Sequence, residues 1–320
     1  MLSYDVLCIG SGTVDTFLTI TQSFASVRPG DKILVHSSEV HSGGGATNAA
    51  CALSKLGLNT KVLTKLGRDH NAGFVLEDLK RYQVKNICMH RSDKNTDAAT
   101  IISSTEEKDR IIYVHKGASD DLQTTDYKKY QLRAQWIYLA SVLGDSFHTA
   151  KSIVSYAQRK KKKILFNPSL YLAQKGKNSL KPILSATTIL ALNHQEAQAL
   201  LHTTSNSTLE LLIRLHHLGP SIVIITNGAK ALHAFHDQQI YTLTPPQVPV
   251  VHTAGAGDAF TAGFLAGYIK GYSFVDALRV GQANASSVIG HIGAKNRLLT
   301  ELEANRWIEK YKMKVTIIKL

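Results

Sequence analysis

The sequence predicts an α/β fold built on a largely parallel β-sheet. Short runs of β-branched and other apolar residues alternate along most of the chain with segments of helical periodicity, the order that a parallel sheet with covering helices requires. The helical segments end on glycine, which is typical of helix C-termini. With 320 residues and 44% hydrophobic content, the chain is able to bury a large core.

Six apolar runs are predicted to be the buried strands of this sheet, at residues 5–9, 61–63, 136–139, 164–166, 188–192 and 222–225. Residues 48–56 form a predicted helix that ends at Gly57, and residues 209–218 form one that ends at Gly219. No internal repeat, low-complexity tract or long linker interrupts the alternation. We therefore expect one domain over residues 1–320.

Two regions depart from the alternation of strands and helices. Residues 32–36 resemble an antiparallel strand, and residues 100–102 and 110–114 resemble a β-hairpin joined by a polar loop. These segments interrupt the βα order and do not extend it. We expect a small sheet that stands off the main domain and acts as a lid.

Composition excludes several classes of protein. No apolar stretch approaches the roughly 20 residues that span a bilayer, and the N-terminus lacks the pattern of a signal peptide. Cys8, Cys51 and Cys88 are odd in number and show no paired spacing, so reduced thiols are expected. These features predict a cytoplasmic protein without a membrane partner.

The formal net charge of +13 raises the question of nucleic-acid binding. The densest basic cluster, residues 159–163, directly precedes an apolar run, which indicates a solvated helix end leading into a buried strand. No aromatic residues are interleaved with it, as a single-strand binding groove would require. The 14 histidines show no metal-ligand spacing. We expect no nucleic-acid partner.

The most informative stretch is TAGAGDAF at residues 253–260, which follows a short predicted strand. Its small residues let backbone N–H groups approach an anion closely, and a helix predicted from about Asp258 to Lys270 adds a positive N-terminal end. A carboxylate here repels a bound phosphate, but it suits a base that accepts a hydroxyl proton. Phosphoryl transfer needs both features. The alternative is that Asp258 only caps the helix.

The same stretch closely resembles the C-terminal signature of the ribokinase-like (PfkB) carbohydrate kinases. SGGGATNAA at residues 42–50, with Leu56-Gly57 after it, resembles their N-terminal signature. Three further matches lie between the two: residues 67–69 with Gly73, the Asn-x-x-Glu at 193–196, and TNG at 226–228. The resemblance implies a three-layer αβα sandwich with a mostly parallel sheet. It also implies a small β-sheet lid inserted at about 15–40 and 97–118.

The resemblance further implies roles for individual residues in catalysis and acceptor binding. Asp258 is the expected catalytic base, and the backbone of Gly255, Ala256 and Gly257 is the expected anion hole. The residues expected to bind the hydroxyls of the acceptor are Asp15, Gly43, Gly44 and Asn48.

ATP and Mg²⁺ are the cofactors that the resemblance implies. Asn193 and Glu196 are expected to help place Mg²⁺ and the phosphates, through water. Thr226 and Gly228 are expected to border the nucleotide, and Asn284 to lie near the adenine or ribose.

Each of these positions also has a plainer interpretation. Asp15 follows a Gly-Ser-Gly turn and could be a turn-forming residue, although its carboxylate could equally accept two hydrogen bonds from vicinal hydroxyls. Residues 43–45 could be an ordinary loop. Asn193 and Glu196 have the spacing of a capping box. Asn284 lies in a predicted small-residue helix and could serve only for packing.

Three departures from the family pattern affect these expectations. His252 replaces the usual acidic residue of a monovalent-cation site, so activation by potassium is uncertain. Ala231 replaces a usual glycine near the nucleotide edge. Gly45 stands where ribokinases proper carry a lysine, which favours a neutral acceptor over a phosphorylated one, unless Arg110 or another lid residue supplies a charge.

Other functions were weighed against a kinase. Residues 10–15 begin like a dinucleotide fingerprint, but Asp15 replaces the third glycine and a strand follows where a helix is needed. No P-loop motif is present. A catalytically weak sugar- or nucleotide-binding pseudokinase is a further alternative. For a kinase, a pentose or hexose is favoured as acceptor over a nucleoside, and the lid edges predict a homodimer.

Overall fold

The structure is a computed structural model that describes residues 4–319. Its strands are β1 Tyr4–Ile9, β2 Thr13–Ile20, β3 Ser37–Gly43, β4 Thr60–Leu63, β5 Lys85–Asn86, β6 Asp97–Ser104, β7 Asp109–His115, β8 Ala134–Leu139, β9 Lys163–Phe166, β10 Ile189–Asn193, β11 Ile222–Asn227, β12 Lys230–His236, β13 Gln239–Leu243 and β14 Val315–Lys319. Its α-helices are α1 Gly45–Lys55, α2 His70–Arg81, α3 Gly144–Arg159, α4 Leu170–Ala173, α5 Gly176–Leu184, α6 His194–Leu201, α7 Thr208–His216, α8 Ala256–Ile269, α9 Phe274–Val288 and α10 Glu301–Tyr311.

The main sheet has ten strands in the order β14-β13-β12-β11-β10-β9-β8-β1-β4-β5. Strands β5, β4, β1 and β8 to β11 run parallel, as the apolar runs predict, while β12, β13 and β14 add an antiparallel edge. From β1, the chain first adds β4 and β5 on one side of that strand and later adds β8 and the strands after it on the other side. The strand order therefore reverses between β1 and β8, where open α/β sheets bind their ligands.

Helices cover both faces of the main sheet. Side chains of β1 alternate between the two cores: Val6 and Cys8 face one side, and Leu7 and Ile9 face the other. Helices α1, α2, α8, α9 and α10 contribute to the first core, and α3 to α7 to the second. This is the three-layer αβα sandwich that the resemblance implies. None of the helices in the described part of the chain has both the length and the apolar character needed to cross a bilayer.

A second, four-stranded sheet has the order β3-β2-β6-β7 and is called the small sheet below. The predicted hairpin corresponds to β6 and β7, which are antiparallel. The prediction of a strand at residues 32–36 is wrong, because the strand that pairs with β2 is Ser37–Gly43. Residues 32–36 remain outside the ladder with Leu34 83% exposed. Apolar character alone therefore misplaced the strand, since β3 is mostly polar and exposed.

The basic cluster lies where the sequence predicts it. Helix α3 ends at Arg159, and Lys160 and Lys161 are exposed in the turn that leads to β9. Lysines at this end of a helix interact favourably with its dipole. The local fold thus accounts for much of the charge concentrated at residues 159–163.

Candidate active site

A cleft of about 380 Å³ opens at the carboxyl edge of the parallel strands. It is lined by residues from the two glycine turns, from the strand ends and from the small sheet, including Gly44, Gly45, Val114, Asn193, Glu196, Thr226, Gly255, Gly257 and Asp258. Residues that lie more than 200 positions apart in the sequence therefore share one cleft. The topology brings them together, because parallel strands all end at the same edge.

The N-terminal glycine turn connects β3 to α1. Gly44 has φ of +97°, and a Cβ there would lie 2.8 Å from the Cα of Gly12. A Cβ at Gly43 would lie 2.8 Å from the carboxyl carbon of Asp15. Both positions therefore require glycine, and the absence of side chains lets this turn approach Asp15 and the first turn of α1, which carries Asn48.

The C-terminal glycine turn leads into α8. Gly255 has φ of +77°, and a Cβ there would lie 2.6 Å from the Cα of Ala294. Helix α8 starts at Ala256 and places Asp258 in its first turn, beside the N–H groups of the helix N-terminus. The turn thus places a carboxylate beside backbone N–H groups at a helix N-terminus, as the sequence predicts, and the Ala256 N–H donates to the Thr253 carbonyl at 3.3 Å.

A hydrogen bond joins the two turns. The Asn48 side-chain Nδ2 donates to Asp258 Oδ2 at 2.9 Å. The Oδ1 atom of Asn48 is buried and accepts no hydrogen bond from any residue in the described range 4–319. Because a buried acceptor without a donor is costly, this atom is suited to receive an O–H or N–H group of a ligand.

The surroundings of Asp258 favour its neutral form. The pKa of this carboxyl is raised to about 6, mainly by burial and to a smaller extent by the nearby Asp15, although the Asn48 hydrogen bond and the charge of Lys295 oppose the rise. A carboxylate with a pKa close to the working pH is an effective general base. The chemistry of the site therefore fits proton transfer.

Asp15 lies on β2 of the small sheet, beside the N-terminal glycine turn. Thr13 Oγ1 donates to Asp15 Oδ1 at 2.9 Å. Burial raises the pKa of Asp15, while Thr13, Lys295, His41 and Lys116 act in the opposite direction. The carboxylate is thus held in place by one hydroxyl and surrounded by positive groups.

Asn193 and Glu196 form a capping box at the start of α6. Asn193 Oδ1 accepts from the Glu196 N–H at 2.9 Å, and Glu196 Oε2 accepts from the Asn193 N–H at 2.8 Å. Both residues also line the cleft, and burial raises the pKa of Glu196 to about 7. The two interpretations of this pair are therefore compatible. Thr226 pairs with Asn193 in the ladder between β10 and β11, which brings it to the same end of the cleft.

Two predicted nucleotide residues do not line the cleft. Gly228 lies just beyond it, in the exposed turn between β11 and β12. Asn284 is fully buried in α9: its Nδ2 donates to the Ala259 carbonyl at 2.9 Å, and its Oδ1 accepts from the Leu299 N–H at 3.0 Å. Both polar atoms of Asn284 are thus already used to hold α8 and the segment before α10 in place, and its nearness to the adenine or ribose stays a prediction.

The sequence reasoning missed several polar residues that line the cleft. Ser141 and Asn167 come shortly after β8 and β9, and Lys116 and Asp120 follow β7. Polar residues directly after buried parallel strands are a signal that could have found the first two. No comparable signal marks Lys116, which reaches the cleft because the buried carboxylate of Asp97 accepts from its ammonium at 3.2 Å.

The small sheet contacts the C-terminal glycine turn directly. The ring of Phe17 packs edge-on against His252 at 4.8 Å between centroids, and Arg110 donates to Thr253 Oγ1 at 3.1 Å. His252 Nδ1 accepts from the Ala254 N–H at 3.0 Å. Burial lowers the pKa of His252, and Arg110 lowers it further, so this imidazole is neutral near pH 7.

Solved structures and curated proteins resemble this chain over almost its whole length. A ribokinase from Arabidopsis thaliana, solved with ribose and ATP, superposes with a TM-score of 0.81 at 19% identity over 96% of this chain and 99% of that one. An uncharacterized sugar kinase of Archaeoglobus fulgidus is 30% identical over 77% of this chain and 97% of its own length. A nucleoside kinase of Methanocaldococcus jannaschii is 24% identical over 96% of this chain and 98% of its own.

The fold is therefore that of the ribokinase-like kinases. The family described as pfkB family carbohydrate kinase matches residues 4–301, and the chain belongs to it. It is accordingly a phosphotransferase that uses a hydroxyl group as acceptor.

Proposed function

We propose that this enzyme transfers the γ-phosphoryl group of Mg·ATP to a hydroxyl of a small neutral sugar, a pentose or hexose, with Asp258 as general base. The observation that carries the proposal is the hydrogen bond between Asn48 and Asp258. It joins a glycine turn suited to a polyol with a glycine turn suited to a phosphoryl group, and it leaves a carboxylate of pKa about 6 between them.

In the proposed reaction, Asp258 takes the proton of the attacking hydroxyl. Its Oδ2 is held by Asn48, so Oδ1 is the free basic atom, and Gly45 is the residue whose Cβ would approach it, to 3.7 Å. As the hydroxyl oxygen loses its proton, it forms a bond to the γ-phosphorus, and the bond between that phosphorus and the bridging oxygen of ADP breaks. The backbone N–H groups of residues 255–257 stabilise the charge on the migrating group.

Acceptor binding is assigned to the N-terminal turn and the small sheet. Asp15 accepts hydrogen bonds from two hydroxyls of the sugar, and the unpaired Oδ1 of Asn48 accepts from a third. Gly43 and Gly44 let the sugar approach the backbone. Val114 of the small sheet and Lys116, which directly follows it, line the same cleft, so closure of the sheet over the acceptor would exclude water and limit hydrolysis of ATP.

Nucleotide binding is assigned to the other end of the cleft. Glu196 and Asn193 supply oxygen ligands of the type that Mg²⁺ prefers, through water, and Thr226 and Gly228 border the nucleotide. When bound, Mg²⁺ neutralises phosphate charge. Glu196 serves this role only in its ionised form. Because its pKa is about 7, a nearby cation is needed to keep it ionised at neutral pH.

A nucleoside is the second candidate acceptor. The cleft wall includes the apolar side chains of Val142, Leu143 and Tyr171, which could pack against a base. The named relatives include both ribokinases and nucleoside kinases.

A coupled ADP-release assay over pentoses, hexoses, sugar acids and nucleosides tests the proposal. Turnover with a neutral sugar that exceeds turnover with nucleosides supports it, and the reverse order supports the second candidate. If neither class is phosphorylated by the wild-type chain, and Asp258→Asn is equally inert, the protein is a binding protein that lacks the chemistry.

We also propose that the protein forms a homodimer through the small sheet. Its edge strand β7 is exposed along its whole length and presents four consecutive apolar residues, Ile111, Ile112, Tyr113 and Val114. A second copy would cover this edge. Sedimentation equilibrium at micromolar concentration is expected to show a dimer, and Ile112→Lys to shift it towards monomer. A wild-type monomer under these conditions would contradict the proposal.

Potassium is expected not to stimulate the enzyme. The position that an acidic residue occupies in many family members is His252, whose neutral ring packs on Phe17, and Arg110 brings a positive charge next to it. Potassium requires oxygen ligands, which neither side chain supplies. Rates in potassium chloride and choline chloride at equal ionic strength should agree, whereas clear activation by potassium would refute this expectation. His252→Asp, which restores a carboxylate, is the matched variant in which activation could emerge.

A further inference from the structure

A buried lysine lies beside the proposed active site, in the segment between α9 and α10. Lys295 is 5% exposed, and its Nζ lies 2.9 Å from Asp78 Oδ2 on α2. Asp78 also accepts from the hydroxyl of Ser42, the residue before the N-terminal glycine turn. Within residues 4–319, the Nζ has this ion pair but no partner in a hydrogen bond of good geometry. An ammonium is seldom buried with so few partners.

The segment that carries Lys295 contacts the C-terminal glycine turn and strand β3, which leads into the N-terminal one. A Cβ at Gly255 would lie 2.6 Å from the Cα of Ala294, and Gly293 packs against the ring of His41. His41 is the partner of Asp15 in the ladder between β3 and β2. The backbone is fixed further because the Tyr82 hydroxyl donates to the Lys295 carbonyl at 3.1 Å. The backbone that carries Lys295 is therefore held between strand β3 on the acceptor side and Gly255 on the anion-hole side, and Asp78 holds its ammonium at 2.9 Å.

Negative charge is concentrated around this ammonium. Asp15 and Asp258 repel each other, and Lys295 is the cation that acts on both carboxyls, lowering the pKa of each. Besides Lys295 and Asp15, Asn48 from α1 acts on Asp258. Asp258 in turn raises the pKa values of Cys8 on β1, Tyr138 on β8 and Glu196 on α6. The other groups that act on Asp15 are Thr13, His41 and Lys116. Asp78 partly offsets the field of the ammonium.

We propose that Lys295 is a positioning residue whose buried ammonium allows Asp15 and Asp258 to be ionised together, one to hold the acceptor and the other to deprotonate it. The inference rests on the proposed function. Two carboxylates at one site do not ionise together readily unless a positive charge stabilises them. Lys295 thus acts through the two aspartates, without contact to the substrate.

The test compares Lys295→Met, Lys295→Arg and Asp78→Asn in pH profiles of kcat. Removal of the positive charge disfavours the carboxylate form, so the acid limb of Lys295→Met should move up by about one pH unit, with a loss of about fivefold at pH 6 and less than twofold at pH 8. Lys295→Arg should restore the wild-type limb. Asp78→Asn removes the negative charge that offsets the field of Lys295, so the acid limb of this variant's pH profile should stay in place or move to lower pH.

These variants separate an electrostatic role from a structural one. Lys295→Met and Asp78→Asn break the same ion pair, so a purely structural role predicts equal, pH-independent losses in both, together with equal losses of melting temperature. That result would overturn the inference, and so would an unmoved limb in a folded, active Lys295→Met enzyme. In either case a loss of activity in Asp258→Asn would leave the proposed function standing, whereas an inert wild type would remove both.

Discussion

Asp258→Asn is expected to lower kcat by about 10²–10⁴-fold, the usual contribution of a general base. Asparagine keeps the shape of the side chain and its Oδ1 can still accept a hydrogen bond, but the amide cannot take a proton from the attacking hydroxyl. The proposed nucleotide residues Asn193, Glu196 and Thr226 lie at the other end of the cleft, so the dissociation constant of the nucleotide should change little. Steady-state kinetics with ADP release, together with calorimetric titration of the nucleotide, measures the two quantities separately.

The pH dependence of the wild-type rate provides an independent measurement on the same residue. The pKa of Asp258 is raised to about 6, so the base is protonated below this pH and ionised above it. The rate is expected to rise through pH 6 and to level off above pH 7. If Asp258→Asn retained wild-type kcat, or if the residual activity kept the same acid limb, Asp258 would not be the base.

The parallel core of the fold could be predicted because its strands are buried on both faces. Such strands appear in the sequence as continuous apolar runs, and β1 and β8 to β11 follow this rule. Strand β3 has the sequence SSEVHSG and is largely exposed, so only its pairing with β2 defines it. The antiparallel edge of β12, β13 and β14 was also not predicted. Strand β14 joins β13 across about 70 residues of chain, a pairing that local patterns cannot indicate.

The parts of the candidate site that could be predicted from the sequence are those that require a particular backbone conformation. Gly44 and Gly255 adopt positive φ and lie close to neighbouring backbone. Because only glycine fits both conditions without strain, the two positions can be recognised in the sequence. The environment of Asn284 could not be predicted in this way. A helix of small residues can face a ligand or a neighbouring helix, and only the packing of the whole fold shows that Asn284 faces α8. Lys295 carries no motif. Its proposed role follows from the fold, which places Ala294 against the C-terminal glycine turn and Gly293 against His41 of β3.

Asp15→Ala is expected to raise the KM for the acceptor by about 10²–10⁴-fold with a smaller change in kcat. A hydrogen bond to a charged group contributes about 1.5–3 kcal/mol, and two hydroxyls of the sugar would lose theirs. Thr13→Val, which removes only the hydroxyl that holds Asp15 Oδ1, is the graded variant and should raise KM less. Unchanged KM in Asp15→Ala would show that the acceptor binds elsewhere.

The same substitution also tests the coupling between the two carboxylates. Asp15 raises the pKa of Asp258, so its removal leaves Asp258 ionised at lower pH, and the acid limb of kcat should move downwards. Thr13→Val keeps the charge and should leave that limb nearly in place. A raised KM together with a lowered limb is expected only if one carboxylate binds the acceptor and lies close enough to the other to affect its ionisation. A raised KM without the shift would place Asp15 at the acceptor but electrostatically separate from the base.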